Sequence, residues 1–326
     1  MLFRVLIICL SVLSVSVSAA TLKIATLSPE GSAWMQKFRK AAADIKSQTD
    51  GRVKIKFYPG GVMGDDEAVL KKIKIRQLHG GAMTGGSLAR YYTDSQVYSL
   101  PLKFDSLGQV SQVREAIDAE ILQGYEDGGF VSFGLAGGGF AYIMSQKPIA
   151  HPEDLRGTKS WAPNADPATV VAFDTFSISP IPLGIGDVLA GLQTGLIDTV
   201  ATSPVAAITL QWHTQIKHVT KVPLIYLYAV MAVQKKAFDK LKTEDQLIVR
   251  TVFSQAFVEL DKESEKDNEK ALAALAGQGI NIITPDAEQL AAWKALGNKA
   301  AQAMIAQGAV SQPMVNKLES LLADAE

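Results

Sequence analysis

The stretch Thr243–Ala276 contains neither proline nor glycine, and its character changes twice along its length. Val249, Val252, Phe253, Ala256, Phe257 and Leu260 recur at helical spacing, Asp261–Lys270 (DKESEKDNEK) is wholly polar, and Ala271, Leu272, Ala274 and Leu275 restore the apolar stripe before Gly277. The periodicity predicts one helix of about 50 Å at 1.5 Å per residue, opened by a Thr243–Gln246 capping box. Apolar ends around a polar middle suit a strut that docks on two bodies and crosses water between them. Two helices with a polar turn are the alternative, but Asn268 is the only turn-former in that decade.

Two bodies also fit the length, because 326 residues at 48% hydrophobic content exceed what one compact core organises. After a short strand at Leu22–Thr26, Ser28-Pro29 reads as a cap and first-turn proline before an amphipathic helix over Gly31–Gln48 carrying Trp34, Phe38, Ala41, Ala42 and Ile45. Val53, Ile55 and Phe57 alternate with Arg52, Lys54 and Lys56 as a half-buried strand, and Asp65-Asp66 opens a helix. This β-α-β-α order predicts a largely parallel sheet. Two strand-like runs, Phe130–Leu135 and Phe140–Met144, flank Gly137-Gly138-Gly139, which reads as a crossing between lobes with close backbone approach. A second α/β set follows, with strands near Lys159–Trp161, Pro180–Leu183 and Ile197–Thr202 and helices over Pro167–Phe176 and Gly186–Thr194. Tyr226–Val233 is a returning strand, and two helices, about 286–306 and 312–325, end the chain.

Arg4, the apolar run Val5–Val17 and Ser18-Ala19-Ala20 predict a secretory leader cleaved after Ala20, hence a periplasmic protein. The only cysteine, Cys9, falls inside it; Leu6-Ile7-Ile8-Cys9 resembles a lipoprotein box, but Ile8 is bulky for one. No later run is long and apolar enough to span a bilayer. A net charge of −1 without a basic tract argues against a nucleic-acid partner.

Chemistry-bearing motifs are missing: no nucleophile elbow, phosphate-binding loop, HExxH or GxGxxG occurs, and His213 and His218 are five apart, which suits no helical metal pair. The expectation is therefore no enzyme, no cofactor and no metal. Asp65-Asp66-Glu67 reads first as a helix start, with Asp66 second as a ligand contact. Aromatic and polar residues collect at strand ends and the loops after them, including Tyr58, Met83 and Tyr228, as in small-molecule clefts of open α/β folds. The ligand-binding candidates are Trp34, Met63, Asp66, Thr84, Ser87, Phe140, Tyr142, Trp161, Asn164, Ser203, Trp212 and Tyr226.

Four segments then occur in order. They are Phe57-Tyr58-Pro59-Gly60-Gly61 with Met63-Gly64-Asp65-Asp66; Ser99-Leu100-Pro101; Asp154-Leu155-Arg156-Gly157 with Lys159 and Pro163-Asn164-Ala165; and Leu192-Gln193-Thr194-Gly195 with Ile197-Asp198 and Pro204. With them the chain resembles the solute-binding proteins of TRAP transporters, the DctP family, from about Thr21 to its C-terminus. The resemblance implies an α/β, two-lobed periplasmic binding protein of the Venus-flytrap kind with a long connecting helix. Residues 21–140 with about 228–265 would form one lobe, 141–227 with about 266–326 the other, and the helix at about 243–276 would span both. It implies delivery of cargo to sodium-driven TRAP membrane permease subunits, and in some apolar-pocket members a helical-repeat partner. A receptor serving a sensor or an ATP-driven importer, or a periplasmic enzyme, are the alternatives. The family's carboxylate-clamping arginine falls at Trp161 here, a second arginine of sialic-acid-type members near Ala141, and the usual asparagine before the proline at Ser203. An indole replaces a bidentate fork by an apolar face and one donor, so the expected ligand is neutral, apolar or aromatic, or a cation stacked on the ring. Arg90 is the one candidate for a displaced anion contact.

Overall fold

The computed structural model describes residues 19–164 and 167–323. The predicted leader, except Ala19 and Ala20, lies outside them, as do Cys9 and Ala165. β1 (Ala20–Thr26), α1 (Ala33–Gln48), β2 (Val53–Tyr58), α2 (Asp66–Lys74) and β3 (Gly80–Thr84) follow the predicted alternation. β1 pairs parallel with both neighbours, Ile24 lying opposite Phe57 and Gly80. Helix α1 starts later than expected: Ser32, not Ser28, is its cap and accepts from the Met35 amide, because Gly31 at φ +84° first turns the chain. Asp65 caps α2 through the Ala68 amide, leaving Asp66 in the first turn, where the exposed amides favour a carboxylate.

α3 (Leu107–Asp127) is unforeseen. Its start was legible nonetheless: Ser106 accepts from the Gln109 amide while Gln109 accepts from the Asp105 amide, ahead of Val110, Val113, Ile117 and Ile121 on one buried face. Next come β4 (Phe130–Ser145), β5 (Trp161–Pro163), α4 (Pro167–Thr175), β6 (Ile181–Leu183), α5 (Val188–Gln193), β7 (Thr199–Thr202), α6 (Pro204–Thr209) and β8 (His218–Gln234). The chain closes with α7 (Lys235–Phe238), α8 (Thr243–Gly277), β9 (Asn281–Ile283), α9 (Ala287–Ala306) and α10 (Gln312–Ala323).

Two corrections follow from β4 and β8. The runs on either side of the glycines are one strand of 16 residues, and the returning strand begins at His218 and has 17. They pair antiparallel from Phe130 opposite Gln234 to Ser145 opposite His218, with irregularities at Gly137–Gly139 and two other points. The sheet order is β2-β1-β3-β8-β4-β7 with β9 beside β8, and β3–β8, β8–β4 and β4–β7 are all antiparallel, so the sheet is mixed and not largely parallel. Local periodicity cannot reveal this, because the antiparallel partners lie far apart in the chain, from Ser145 opposite Thr199 to Gly80 opposite Val233.

The long pair carries the chain from one core to another. Val131, Phe133, Met231 and Val233 share a core with α1 and the N-terminal half of α8, whereas Met144 and Val219 belong to a separate core with Trp161, Leu192 and Trp212. Helix α8 does the same: Phe253 and Phe257 are buried in the first body and Leu275 in the second. Each such phenylalanine contributes roughly 1.5–3 kcal/mol by leaving water. Lys242 is its cap and contributes no side-chain bond; Gln246 reaches the Leu241 carbonyl, so the expected capping box is not formed.

The polar middle of α8 does not simply cross solvent. Asp261 accepts from the Gly137 amide at 2.8 Å, Ser264 donates to the Gly137 carbonyl, and Asn268 donates to the Gly138 carbonyl at 3.0 Å while accepting from the Val205 amide at 3.3 Å. These residues, three and seven apart, share one helix face. The face clamps the glycine run where β4 passes between the cores, and the other polar residues of the decade stay in water. Gly137 admits no side chain, since a Cβ would stand 2.0 Å from the Tyr226 hydroxyl. At Gly139, φ is +82° and a Cβ would stand 2.6 Å from Asn268 Nδ2. Gly139→Ala is expected to lower stability by about 1–2 kcal/mol or more from the left-handed backbone alone, read as a lower thermal midpoint; a wild-type midpoint would refute the clamp.

α9 also passes between the bodies. Trp293 is buried with Ile149 and Phe176 and donates to the Ala150 carbonyl at 2.8 Å, while Ala301 and Met304 join the core built on α3. Met314, Val315 and Leu318 of α10 pack into that same core. The C-terminal helix, expected with the second lobe, therefore sits on the first.

Candidate functional site

Between the two bodies lies a cavity of about 490 Å³, floored by β4 and β8 where they cross. Trp34, Asp66, Thr84, Ser87, Trp161, Asn164, Ser203, Trp212 and Tyr226 all line it, although they come from both ends of the sequence. Met63, Phe140 and Tyr142 do not. Phe140 instead supports the wall, edge-on to Tyr226 at 6.0 Å, and Met63 and Tyr142 pack at the rim of the first core. Arg90 is exposed and does not line the cavity.

The fold places each wall residue for a local reason. Trp161 opens β5, and its ring meets Trp212 edge-on at 5.2 Å and 75°. Its indole N–H donates to the Leu183 carbonyl at 3.0 Å. The one donor of the indole is thus spent inside the protein, and Trp161 offers the cavity its apolar surface. Ser203 is likewise occupied, capping α6 through the Ala206 amide. Asn164 donates to Asp65 at 3.3 Å, a hydrogen bond that spans the cleft from the loop after β5 to the start of α2.

Tyr226 is held from behind. Arg114 on α3 donates to its hydroxyl at 3.2 Å, to Asp261 at 2.6 Å, to Asp118 at 2.9 Å and to the Leu135 carbonyl at 2.7 Å. Tyr98 donates to Asp118 at 2.6 Å. Burial works against the charge on Arg114, but Tyr226, Asp118 and Asp261 around it raise its pKa above the ordinary arginine value. Burial pushes the Tyr226 hydroxyl up to about 12 despite the nearby guanidinium. Apart from the i,i+4 spacing of Arg114 and Asp118, nothing in the sequence announces this cluster, whose members come from the Tyr98 segment, α3, β4, β8 and α8.

Asp66 is the polar focus of the first-lobe wall. One carboxylate oxygen accepts from the Thr84 amide at 3.0 Å, the Thr84 hydroxyl at 2.9 Å and the Ser87 hydroxyl at 2.5 Å. Burial raises its pKa, and the bonds from Ser87 and Thr84 only partly offset this. A folded-state value above the unfolded one means the native form holds the proton longer. That contribution to stability is complete below the unfolded value and fades as pH rises through the folded one. Asp66→Asn should therefore unfold at a higher temperature than wild type at neutral pH. The gap should close as pH falls toward the ordinary Asp value of 3.8; thermal unfolding at the two pH values checks it.

Several lining residues were missed. Phe173 and Phe176, three apart on and just after α4, line the second-lobe side, and their helical spacing was visible. Glu263, Ser264, Asp267 and Asn268 line it from α8, hidden because the whole decade read as solvated. Among the described residues that line the cavity, Asp66, Glu263 and Asp267 are acidic and none is Lys, Arg or His. Among the described residues, no group of three or more His, Cys, Asp or Glu could hold a metal ion, and no helix is long and apolar enough to cross a membrane.

Two bodies joined by paired strands and a strut helix, with one small-molecule-sized cavity between them, define a two-lobed solute-binding protein. Residues 24–307 match the family model DctP, described as bacterial extracellular solute-binding protein, family 7, and the chain belongs to that family of TRAP transporter solute-binding proteins. Relatives include the sialic acid-binding periplasmic protein SiaP of Vibrio cholerae, 23% identical over 93% of this chain and 94% of that protein. In three dimensions the chain is similar to a TRAP solute-binding protein of Sulfitobacter sp. solved with β-D-galacturonate, with TM-score 0.83 and 19% identity over 93% of this chain and 99% of the other. It is also similar to an extracytoplasmic solute receptor of Bordetella pertussis solved with pyroglutamic acid, with TM-score 0.84 and 18% identity over 94% and 100%.

Proposed function

We propose that this chain is an exported, periplasmic receptor, not an enzyme, that captures a small ligand with an apolar or aromatic body and no net negative charge. It passes that ligand to the sodium-driven permease of a TRAP transporter. The observation that carries the ligand class is the cavity lining: aromatic walls from Trp161, Trp212, Phe173 and Tyr226, three carboxylates, and no basic side chain among the described residues. The neighbours solved with acidic sugars or pyroglutamic acid point the other way for their own clefts. A carboxylate entering this one would meet like charge and no guanidinium fork, a combination that disfavours it.

Contacts from both lobes would favour the closed arrangement by the ligand's differential affinity for it. The wall residues Trp34, Thr84, Ser87, Asn164 and Ser203 would shape the cleft, with Met63, Phe140 and Tyr142 behind them. The relatives give no support to a helical-repeat partner. Native mass spectrometry of protein purified from the periplasm of producing cells tests the reading. The expected spectrum shows a one-to-one adduct of a small non-anionic molecule, in a chain that begins at Thr21. An adduct that proves to be a carboxylic acid refutes the ligand class, and a chain retaining its leader refutes the export.

A further inference from the structure

Of the three carboxylates on the cleft wall, Asp66 alone has no cationic partner among the described residues. Asp66 Oδ2 takes all three hydrogen bonds from Thr84 and Ser87, whereas Oδ1 has no partner among the described residues. Among the described residues no cationic side chain stands within ion-pair distance of Asp66, although the other two acidic wall residues each have one: Lys37 lies 3.0 Å from Glu263, and Lys270 lies 4.0 Å from Asp267. Asp66 is half-buried, and it lacks the counter-charge that carboxylates drawn partly out of water ordinarily acquire.

Building on the capture reading above, we infer that the cargo supplies that counter-charge. The ligand is a small organic cation whose ammonium or other charged N–H donor bonds Asp66 Oδ1 while its apolar body lies against Trp161 and Trp212. Three features converge on this class. Thr84 and Ser87 fix the carboxylate by its other oxygen, so the free oxygen is preorganised and costs little ordering on binding. The aromatic walls attract a cation through their ring faces and disfavour nothing in its hydrocarbon part. Every charged side chain of the described lining is acidic, and Asp66 is the one without an ion-pair partner, so an amine is drawn to it and a carboxylate repelled. Burial already pushes the Asp66 carboxyl up, and an arriving cation would stabilise its ionised form.

Three probes that share a ring and differ in their head group test this: 2-phenylethylamine, 2-phenylethanol and phenylacetate. Binding is read by the change in tryptophan fluorescence, since Trp161 and Trp212 line the cleft, and by isothermal titration calorimetry. The amine is expected to bind about tenfold tighter than the alcohol or better, as a charge-assisted bond allows, with phenylacetate weakest. In Asp66→Asn the amine-over-alcohol ratio should fall to near one, with the thermal midpoint of the variant reporting that it folds. Equal affinity for amine and alcohol, or a ratio that survives the substitution, overturns the cation assignment and leaves the apolar cleft standing. Tightest binding by phenylacetate, or no binding by any probe at millimolar concentration, overturns the apolar, non-anionic cleft as well.

Discussion

Trp161→Ala is expected to cost about 3–5 kcal/mol of stability, the range for truncating a buried tryptophan, and to weaken 2-phenylethanol binding about tenfold or more. The indole is buried against Trp212 and ties the Leu183 carbonyl of β6 to β5 through its N–H. Removing it opens a void in the second-lobe core, frees an acceptor and deletes a wall of the cleft in one step. Trp161→Phe separates the effects. It keeps a ring face but loses the donor, so stability should fall by only about 1–3 kcal/mol for the unpaired carbonyl, and the alcohol should still bind. Denaturant unfolding and fluorescence titration read both quantities. A Trp161→Ala protein with wild-type stability and affinity would show that the residue neither builds this core nor faces the ligand.

Arg114→Met should lower stability by about 3–5 kcal/mol, because breaking a buried pair leaves its partners uncompensated. Arg114 is 12% exposed and gathers Asp118, Asp261, Tyr226 and the Leu135 carbonyl onto one guanidinium. Asp261 also holds the Gly137 amide, so α3, the strut helix and the crossing of β4 meet at this single side chain. Arg114→Lys keeps the charge without the fork and should lose less. If Arg114→Met unfolds like the wild type in a denaturant titration, the cluster contributes no net stability and cannot be what holds Tyr226 against the cleft.

Features with a local cause were legible before any coordinates. The strut α8, the β1-α1-β2-α2 alternation and the Asp65 helix start follow from periodicity and capping chemistry, and each is present. Trp161 emerged because an indole stands where the family resemblance expects an arginine, and the cavity does include it. What failed has a common physical origin in long-range contact. The antiparallel pairing of β4 with β8 leaves no local mark. The polar decade of α8 has the same composition whether water or a glycine backbone faces it, and only the fold decides that Asp261, Ser264 and Asn268 turn inward. Phe140 and Tyr142 alternate along one strand beside the cleft, where the same residue types serve equally well as wall or as support. Helix α3 is the exception: its Ser106–Gln109 cap and its Val110, Val113, Ile117 and Ile121 stripe are local signals, and they place Arg114 on a helix.

A co-crystal structure with 2-phenylethylamine decides whether the cleft takes a cation. The ring is expected in the cleft against Trp161 and Trp212, touched by both lobes, with its ammonium on Asp66 Oδ1. Density for the amine anywhere outside this cleft, or within it with the ammonium away from Asp66, contradicts it.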